Sequence, residues 1–334
     1  MVKKFFLILL VCVLAAPSGA AKKSSKKSDR STSSKKSKKK KKKVSFDNFI
    51  KKAQELDTGS LIIIQDGKFL VENNWQSPLT FYYMQGITPS LVTLALGPSI
   101  DEGKISLDSA VTQWIPDWID NRAEIKVNQL LTQTSGFADD EKDPWYKNPD
   151  TWAWLRTQTP KTDPGTSFNI SDTNSLLLGF VIAKATDSDP ESLIKKKLLT
   201  PLKIQKWSWD KDKFGHFNTA GGLRLRNYDL LKIGNLIAQN GEWNDQKIIS
   251  ESWLEQIQKP SEKSPTFGLN WWLQEEHEIK AVFAFGYQGQ FLVVIPEKKI
   301  VAIRLRTLVP VEQNKPEYDW SDFPKELLDL SRRL

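Results

Sequence analysis

From residue 44 onward the apolar positions follow two rhythms. Short runs rich in branched and aromatic residues at 60–65 and 69–72 flank Asp66-Gly67, and that dipeptide between two such runs is the strongest local cue for a β-hairpin. The next apolar stretch has the length of a helix. Thr88-Pro89 predicts its start, with threonine as N-cap and proline at the first helical position, where a missing N–H costs nothing, and the pattern runs into Gly103. From about 104 to 220 turn residues are dense, and helical pieces are predicted at 108–114, 127–133 and 173–185, with a further helix starting at Asp189-Pro190. Amphipathic spacing then predicts helices over 227–240, stopped by Gly241, and over 250–258. Four strands follow at 267–274, 280–285, 290–295 and 300–305, with a turn at 296–299 and a closing helix at 321–332. Strands at both ends with helices between them predict an α+β fold: one antiparallel sheet in which the first and last strands meet, flanked by helices, with 104–220 as an inserted, mostly helical region.

The first 43 residues follow neither rhythm. Lys3 and Lys4 precede an apolar run of 12 residues, from 5 to 16, and Ser18-Gly-Ala20 offers small residues for cleavage, the pattern of a secretory signal over 1–20. Twelve residues fall short of the roughly 20 that a permanent span needs. The mature chain is therefore expected outside the cytoplasm, periplasmic or extracellular, although the positive charge following the apolar run opposes the usual bias. Cys12 lies inside that run, and valine before it makes a poor lipobox. After cleavage no cysteine remains, which excludes disulfides and thiolate catalysis.

Charge is divided just as sharply. Residues 21–43 carry +12 and the leader +2, so that of the net +8 residues 44–334 account for −6. A lysine and serine run of this kind cannot bury apolar surface and is expected to be disordered. It serves either as a solvated linker or as a tether to an anionic polymer or membrane surface. The domain shows no basic groove interleaved with aromatics, so specific nucleic-acid recognition is not expected. Thirteen tryptophans, all beyond residue 44, suit core and domain packing, with carbohydrate stacking at Trp271-Trp272 or around Trp152 and Trp154 as the alternative. His216 and His277 are far apart and give no metal-ligand spacing, and no cofactor is implied.

Several segments in order carry chemistry. Leu130-Leu-Thr-Gln-Thr-Ser-Gly136, Pro164-Gly-Thr-Ser-Phe-Asn-Ile-Ser-Asp-Thr-Asn174, Ala220-Gly-Gly-Leu223 and Phe285-Gly-Tyr-Gln-Gly-Gln290 follow the stretch from Met84 to Gly97. Together, over about 58–308, they resemble the β-lactamase-related serine hydrolases: class C β-lactamases, D-Ala-D-Ala peptidases, esterases and 6-aminohexanoate-oligomer hydrolases. The resemblance implies a serine β-lactamase/DD-peptidase-like fold. It also implies a mechanism in which a serine attacks a carbonyl while lysine and tyrosine take its proton, the serine and lysine of Ser-x-x-Lys standing one turn apart on a helix face.

At the matching positions this chain has Gly86 for the serine, Pro89 for the lysine and Ile170 for the tyrosine. Asp172 replaces an asparagine, and Ala284-Phe-Gly286 stands where Lys or His followed by x-Gly is usual. Turnover by the family's route is therefore not expected, although the Gly86 N–H would survive as part of an oxyanion hole. The expected cleft holds Gln85, Gly86, Ser90, Ser171, Asp172, Gly286, Tyr287 and Gln290. Three functions compete. The first is an exported, catalytically inactive homologue that binds cell-wall peptide or a small acyl ligand. The second is a live hydrolase with its nucleophile relocated to Ser90 or Ser171, and the third is a polyanion-binding envelope protein working through 21–43.

Overall fold

The structure, a computed structural model, describes residues 44–334 except 119, 120, 141, 311 and 312. The expected leader and lysine-rich tail lie outside the described residues. Strands β1 (Ser60–Gln65) and β2 (Lys68–Asn74) form the hairpin, turned at Asp66 and Gly67 with positive φ at both, as a two-residue hairpin turn requires. The other edge of β1 pairs antiparallel with the last strand, β11 (Ile300–Leu305), Ser60 opposite Leu305. With β10 (Gln290–Ile295), β9 (Ile279–Gly286) and β8 (Trp272–Glu276) the sheet has six strands in the order β2-β1-β11-β10-β9-β8. The expected meeting of first and last strands is observed.

Alternate residues of the sheet feed two cores. Ile62, Ile64, Leu292, Val294, Val301 and Ile303 belong to the larger one. Leu61, Ile63, Val293, Ile295 and Ala302 belong to the smaller, where Phe49 of α1 (Asp47–Glu55) and Phe323 and Leu327 of α9 (Phe323–Ser331) complete it. Covering on both faces explains why β10 and β11 are apolar almost without interruption instead of alternating.

Helix α2 (Ile87–Asp101) lies within the larger core and is apolar nearly all round, as a buried helix must be. Against it pack α5 (Asp172–Thr186), α6 (Pro190–Ile194) and α8 (Glu251–Ile257), while α3 (Val127–Leu131) and α4 (Thr151–Thr157) pack on α5, and α7 (Asn227–Ala238) on β10 and β11. The expected helix start at Asp189-Pro190 appears with Asp189 as the N-cap, and the helix expected from 250 begins at Glu251 with Ser250 as its cap, each cap accepting a main-chain N–H.

Arg304 is buried in the otherwise apolar β11, where its guanidinium reaches Leu56 O, Gly289 O, Tyr318 O, Asp319 O and Thr58 Oγ1. It ties the end of α1 to the turn before α9. Burial, reinforced by the neighbouring Arg306, lowers its pKa to about 9.

Three expectations need correction. The helix after Met84 begins one residue before Thr88: Gly86 is the N-cap, and the turn is already formed by Ile87 N–H to Met84 O and Thr88 N–H to Gln85 O. Thr88 is therefore inside the helix, its hydroxyl buried without a partner among the described residues. Residues 108–114 give only a 3-10 turn at Val111–Gln113, and the strand expected at 267–274 forms at Trp272–Glu276, after a single bridge from Phe267 to Trp272. The sequence reading also lacked α1, α4, a small sheet of β3 (Tyr82–Tyr83), β4 (Ser208–Trp209) and β5 (Leu223–Leu225), and the hairpin of β6 (Glu242–Trp243) and β7 (Gln246–Lys247). Strands of two or three residues leave no periodicity to detect.

Candidate active site

Main-chain hydrogen bonds bring Gly86 to its place. Met84 N–H donates to Leu223 O, Gln85 takes a left-handed conformation at φ 49°, and the chain then enters α2. Opposite lies the end of β9. A Cβ placed on Gly86 would stand 2.5 Å from Phe285 O, and one on Gly286 would stand 2.6 Å from Met84 O. Such approaches lie well inside ordinary van der Waals contact at about 3.5–4 Å. Two main chains thus touch where the family's reactive side chain would project, and both need glycine. Gln85 sits against Gly221 in the same junction.

Behind Gly86 the polar groups of α2 are engaged with one another. Ser90 Oγ donates to Asn270 O at 2.5 Å, Asn270 Nδ2 to Thr93 Oγ1 at 3.1 Å, and Thr93 Oγ1 to Pro89 O at 2.9 Å. Gln133 extends the chain, donating Nε2–H to Asn270 Oδ1 at 3.0 Å and accepting at Oε1 from Ser171 N–H at 3.0 Å and Asn174 Nδ2–H at 2.7 Å. Ser135 closes it on Asn174 Oδ1. Ser90, Thr93, Gln133, Ser135, Asn174 and Asn270 are all buried, and every one is neutral. Ser90 therefore has no base among the described residues, and its proton is committed to a carbonyl.

Ser171 is different. Its hydroxyl donates to Asp139 Oδ1 at 2.6 Å while accepting from Thr173 N–H as the N-cap of α5. Asp139 also accepts from Asp172 N–H at 3.0 Å, so a carboxylate closes the positive end of a 15-residue helix. Sequence reasoning missed Asp139, because no spacing rule joins residues 32 positions apart. Asp172 receives the Trp145 indole N–H at 2.9 Å. Burial, followed by the nearby Asp139 charge, raises its carboxyl well above the usual carboxylate range. Ile170 is half-buried beside them and supplies no proton-carrying group.

The remaining expected cleft residues divide. Tyr287 is 46% exposed. Gln290, expected along the cleft, is instead fully buried: its amide accepts from Arg306 N–H and donates to Arg306 O, a strap that Gln288 repeats with Val309. His216 gathers with Asp150 and Asp212, donor atoms within 4.8 Å of one another, a grouping invisible in the sequence spacing. The Asp212 carboxylate already accepts from Thr151, Phe214 and His216 N–H and from the imidazole at 2.8 Å. Although burial opposes it, these donors hold its pKa down to about 2. Asp150 meanwhile caps α4. The cluster is accounted for as a hydrogen-bonded turn.

Comparison with known proteins agrees with this architecture. A staphylococcal protein, flp of Staphylococcus aureus, is 26% identical over 187 residues, half of this chain, and the chain matches only 38% of that relative's length. Among solved structures, an octameric penicillin-binding protein homologue from Pyrococcus abyssi superposes with a TM-score of 0.67 at 23% identity, covering 85% of this chain and 76% of that one. A penicillin-binding protein from Bacillus halodurans superposes with a TM-score of 0.65 at 13% identity, covering 83% and 98%. The beta-lactamase family model matches residues 46–321, nearly the whole described region, and the chain belongs to that family.

Proposed function

We propose that this chain is a non-acylating member of the beta-lactamase family, exported and kept as a binding or structural module for cell-wall peptide or another small acyl ligand. One observation carries the reading: at Gly86 a nucleophile's Cβ would stand 2.5 Å from Phe285 O, well inside van der Waals contact. Pro89 and Ile170 support it, because neither can take up a proton. The N-terminal leader pattern supports export, and the +12 segment at 21–43 suits tethering to an anionic polymer or membrane surface. Incubating the purified chain with a fluorescent penicillin and a fluorophosphonate tests the reading. Intact-mass spectra should show unmodified protein, whereas an adduct mapped within 44–334 overturns it.

The 2.6 Å bond between Ser171 and Asp139 favours a second reading, a hydrolase with relocated groups. Against it, the Ser171 hydroxyl is buried and also serves as a helix cap. Hydrolysis of nitrocefin or a nitrophenyl ester, abolished in both Ser171→Ala and Asp139→Asn, would establish that reading in place of the first.

A further inference from the structure

Two loops, one running from Trp145 into α4 and the other spanning 210–218, face each other across a groove of about 620 Å³ that neither Gly86 nor Gly286 lines. Its walls are held in place from within. Thr151 N–H donates to Asp212 Oδ2 at 2.8 Å across the loops, a bridge between Lys211 and Phe217 closes the second, and the Trp145 indole is fixed on Asp172. The size suits a ligand of several rings, since small-molecule sites run from about 300 to 1,000 Å³.

Charge removes two classes of ligand. Asp210 is paired with Arg224 at 2.7 Å, and Lys211 lies 3.8 Å from Glu191. Lys147 and Lys213 have no ion pair among the described residues, but the ionised Asp212 and Asp150, the latter 3.7 Å from His216, offset them. An anion or a cation would lose hydration here with no opposite net charge to compensate. Uncharged ligands remain.

Trp145 and Tyr146 meet edge to face, at 83° with centroids 5.9 Å apart, so they form a corner and not a shared platform. Tyr146 alone, 69% exposed, presents an open ring face. The tryptophans that the sequence offered for stacking are committed to packing, Trp154 and Trp271 being buried and Trp152 stacked on Phe180 at 4.4 Å. The rest of the lining offers polar atoms of both kinds. Asn218 accepts at Oδ1 from Ala220 and Gly221 N–H, and its Nδ2 is a donor without a partner among the described residues. Asn148 is the reverse, with Nδ2 engaged by Asp143 and Pro144 O and Oδ1 left to accept. His216 turns Nδ1 to Asp212, so with the proton there its Nε2 accepts as well. The matching ligand is uncharged, with one apolar ring face and a rim that both donates and accepts. A neutral pyranose has both, C–H bonds on its face and hydroxyls at its edge. An extended peptide seeks a free strand edge with pockets for alternate side chains, which two facing loops do not supply. A flat heteroaromatic gains most between two parallel rings, and the perpendicular Trp145 denies it the second.

We propose that this groove binds a neutral oligosaccharide, one pyranose lying on the Tyr146 face and the hydroxyls of the chain meeting Asn148, His216 and Asn218. This does not rest on the silence of Gly86: an acyl adduct there would leave the groove untouched, and a groove without a ligand would leave the non-acylating reading standing.

Isothermal titration of the purified chain with cellotriose, maltotriose and chitotriose, beside trigalacturonate, a glucosamine trimer and adenosine, tests it. At least one neutral trimer should bind, with an affinity that salt between about 50 and 500 mM leaves unchanged within about twofold. Both charged trimers should be weaker. Tyr146→Ala should weaken the neutral ligand by about tenfold, the scale of a lost aromatic stack, whereas Tyr146→Phe keeps the ring face and should stay within about threefold. Phe81→Ala, at an exposed aromatic outside the groove, should change nothing. No heat from any neutral trimer up to about 10 mM, a limit far weaker than ordinary small-ligand recognition, overturns the proposal. A charged trimer bound more tightly than all the neutral ones, binding of adenosine alone, or full affinity in Tyr146→Ala does so as well.

Discussion

The two polar regions on either side of the α5 N-terminus are built on opposite plans. Behind Gly86, hydroxyls and amides of Ser90, Gln133, Asn174 and Asn270 are buried and turned on one another, leaving little hydrogen-bonding capacity for a visitor. Between Trp145 and Asn218, the Tyr146 ring is open to solvent, Lys147 and Lys213 have no ion pair among the described residues, and the Asn218 Nδ2 has no partner among them. The difference separates a polar cluster that builds a core from one that can receive a molecule. Buried polar groups stabilise only when fully satisfied, whereas a binding surface needs groups that only a ligand completes.

The sharpest way to break the contrast is Gln133→Ala. It strands Ser171 N–H, the Asn174 amide and Asn270 Oδ1 together, and should cost about 2–5 kcal/mol in urea unfolding. A loss below about 1 kcal/mol would mean that water reaches the network, and the region would then resemble the groove. Next in size is Gly86→Ser. The new Cβ must push β9 aside, which overpacking data place at about 1–3 kcal/mol. Combining it with Pro89→Lys and Ile170→Tyr should still give no acylation by a fluorescent penicillin.

Asp172 sits at the border of the two regions, and its effect should be smaller and of opposite sign. The folded state holds its proton more tightly than the unfolded chain does, so stability falls as pH rises from the usual carboxylate range through the raised value. Asp172→Asn keeps an acceptor for Trp145, should flatten that slope in thermal melts, and should gain about 1 kcal/mol at pH 8. Smallest of all is Tyr146→Ala, whose exposed ring should alter stability by no more than about 0.5 kcal/mol. A larger loss would show that the groove is structural after all.

Much of the frame was legible because long elements carry their own signals: the Asp66-Gly67 turn, the apolar runs of β10 and β11, the helix start at Asp189-Pro190. What escaped depends on distance along the chain. Asp139 meets Ser171, and Tyr82 pairs with Leu225, through tertiary contacts that no local pattern encodes. Gln290 shows the converse limit. Its motif position suggested a cleft, yet only the strand register decides which way its side chain turns, and that register sends it to Arg306. The replacements at Gly86, Pro89 and Ile170 were plain in the sequence, but the closeness of Phe285 O to Gly86 was not.

Strand order also sets a timetable for this chain. Because β1 is completed only by β11, the early hairpin leaves the ribosome with one bare edge and must keep it bare while most of the chain is made. Such late closure slows folding and exposes a sticky strand of isoleucines, Ile62 to Ile64, to neighbouring nascent chains. Holdase protection of that edge until β11 is available should therefore raise the soluble yield.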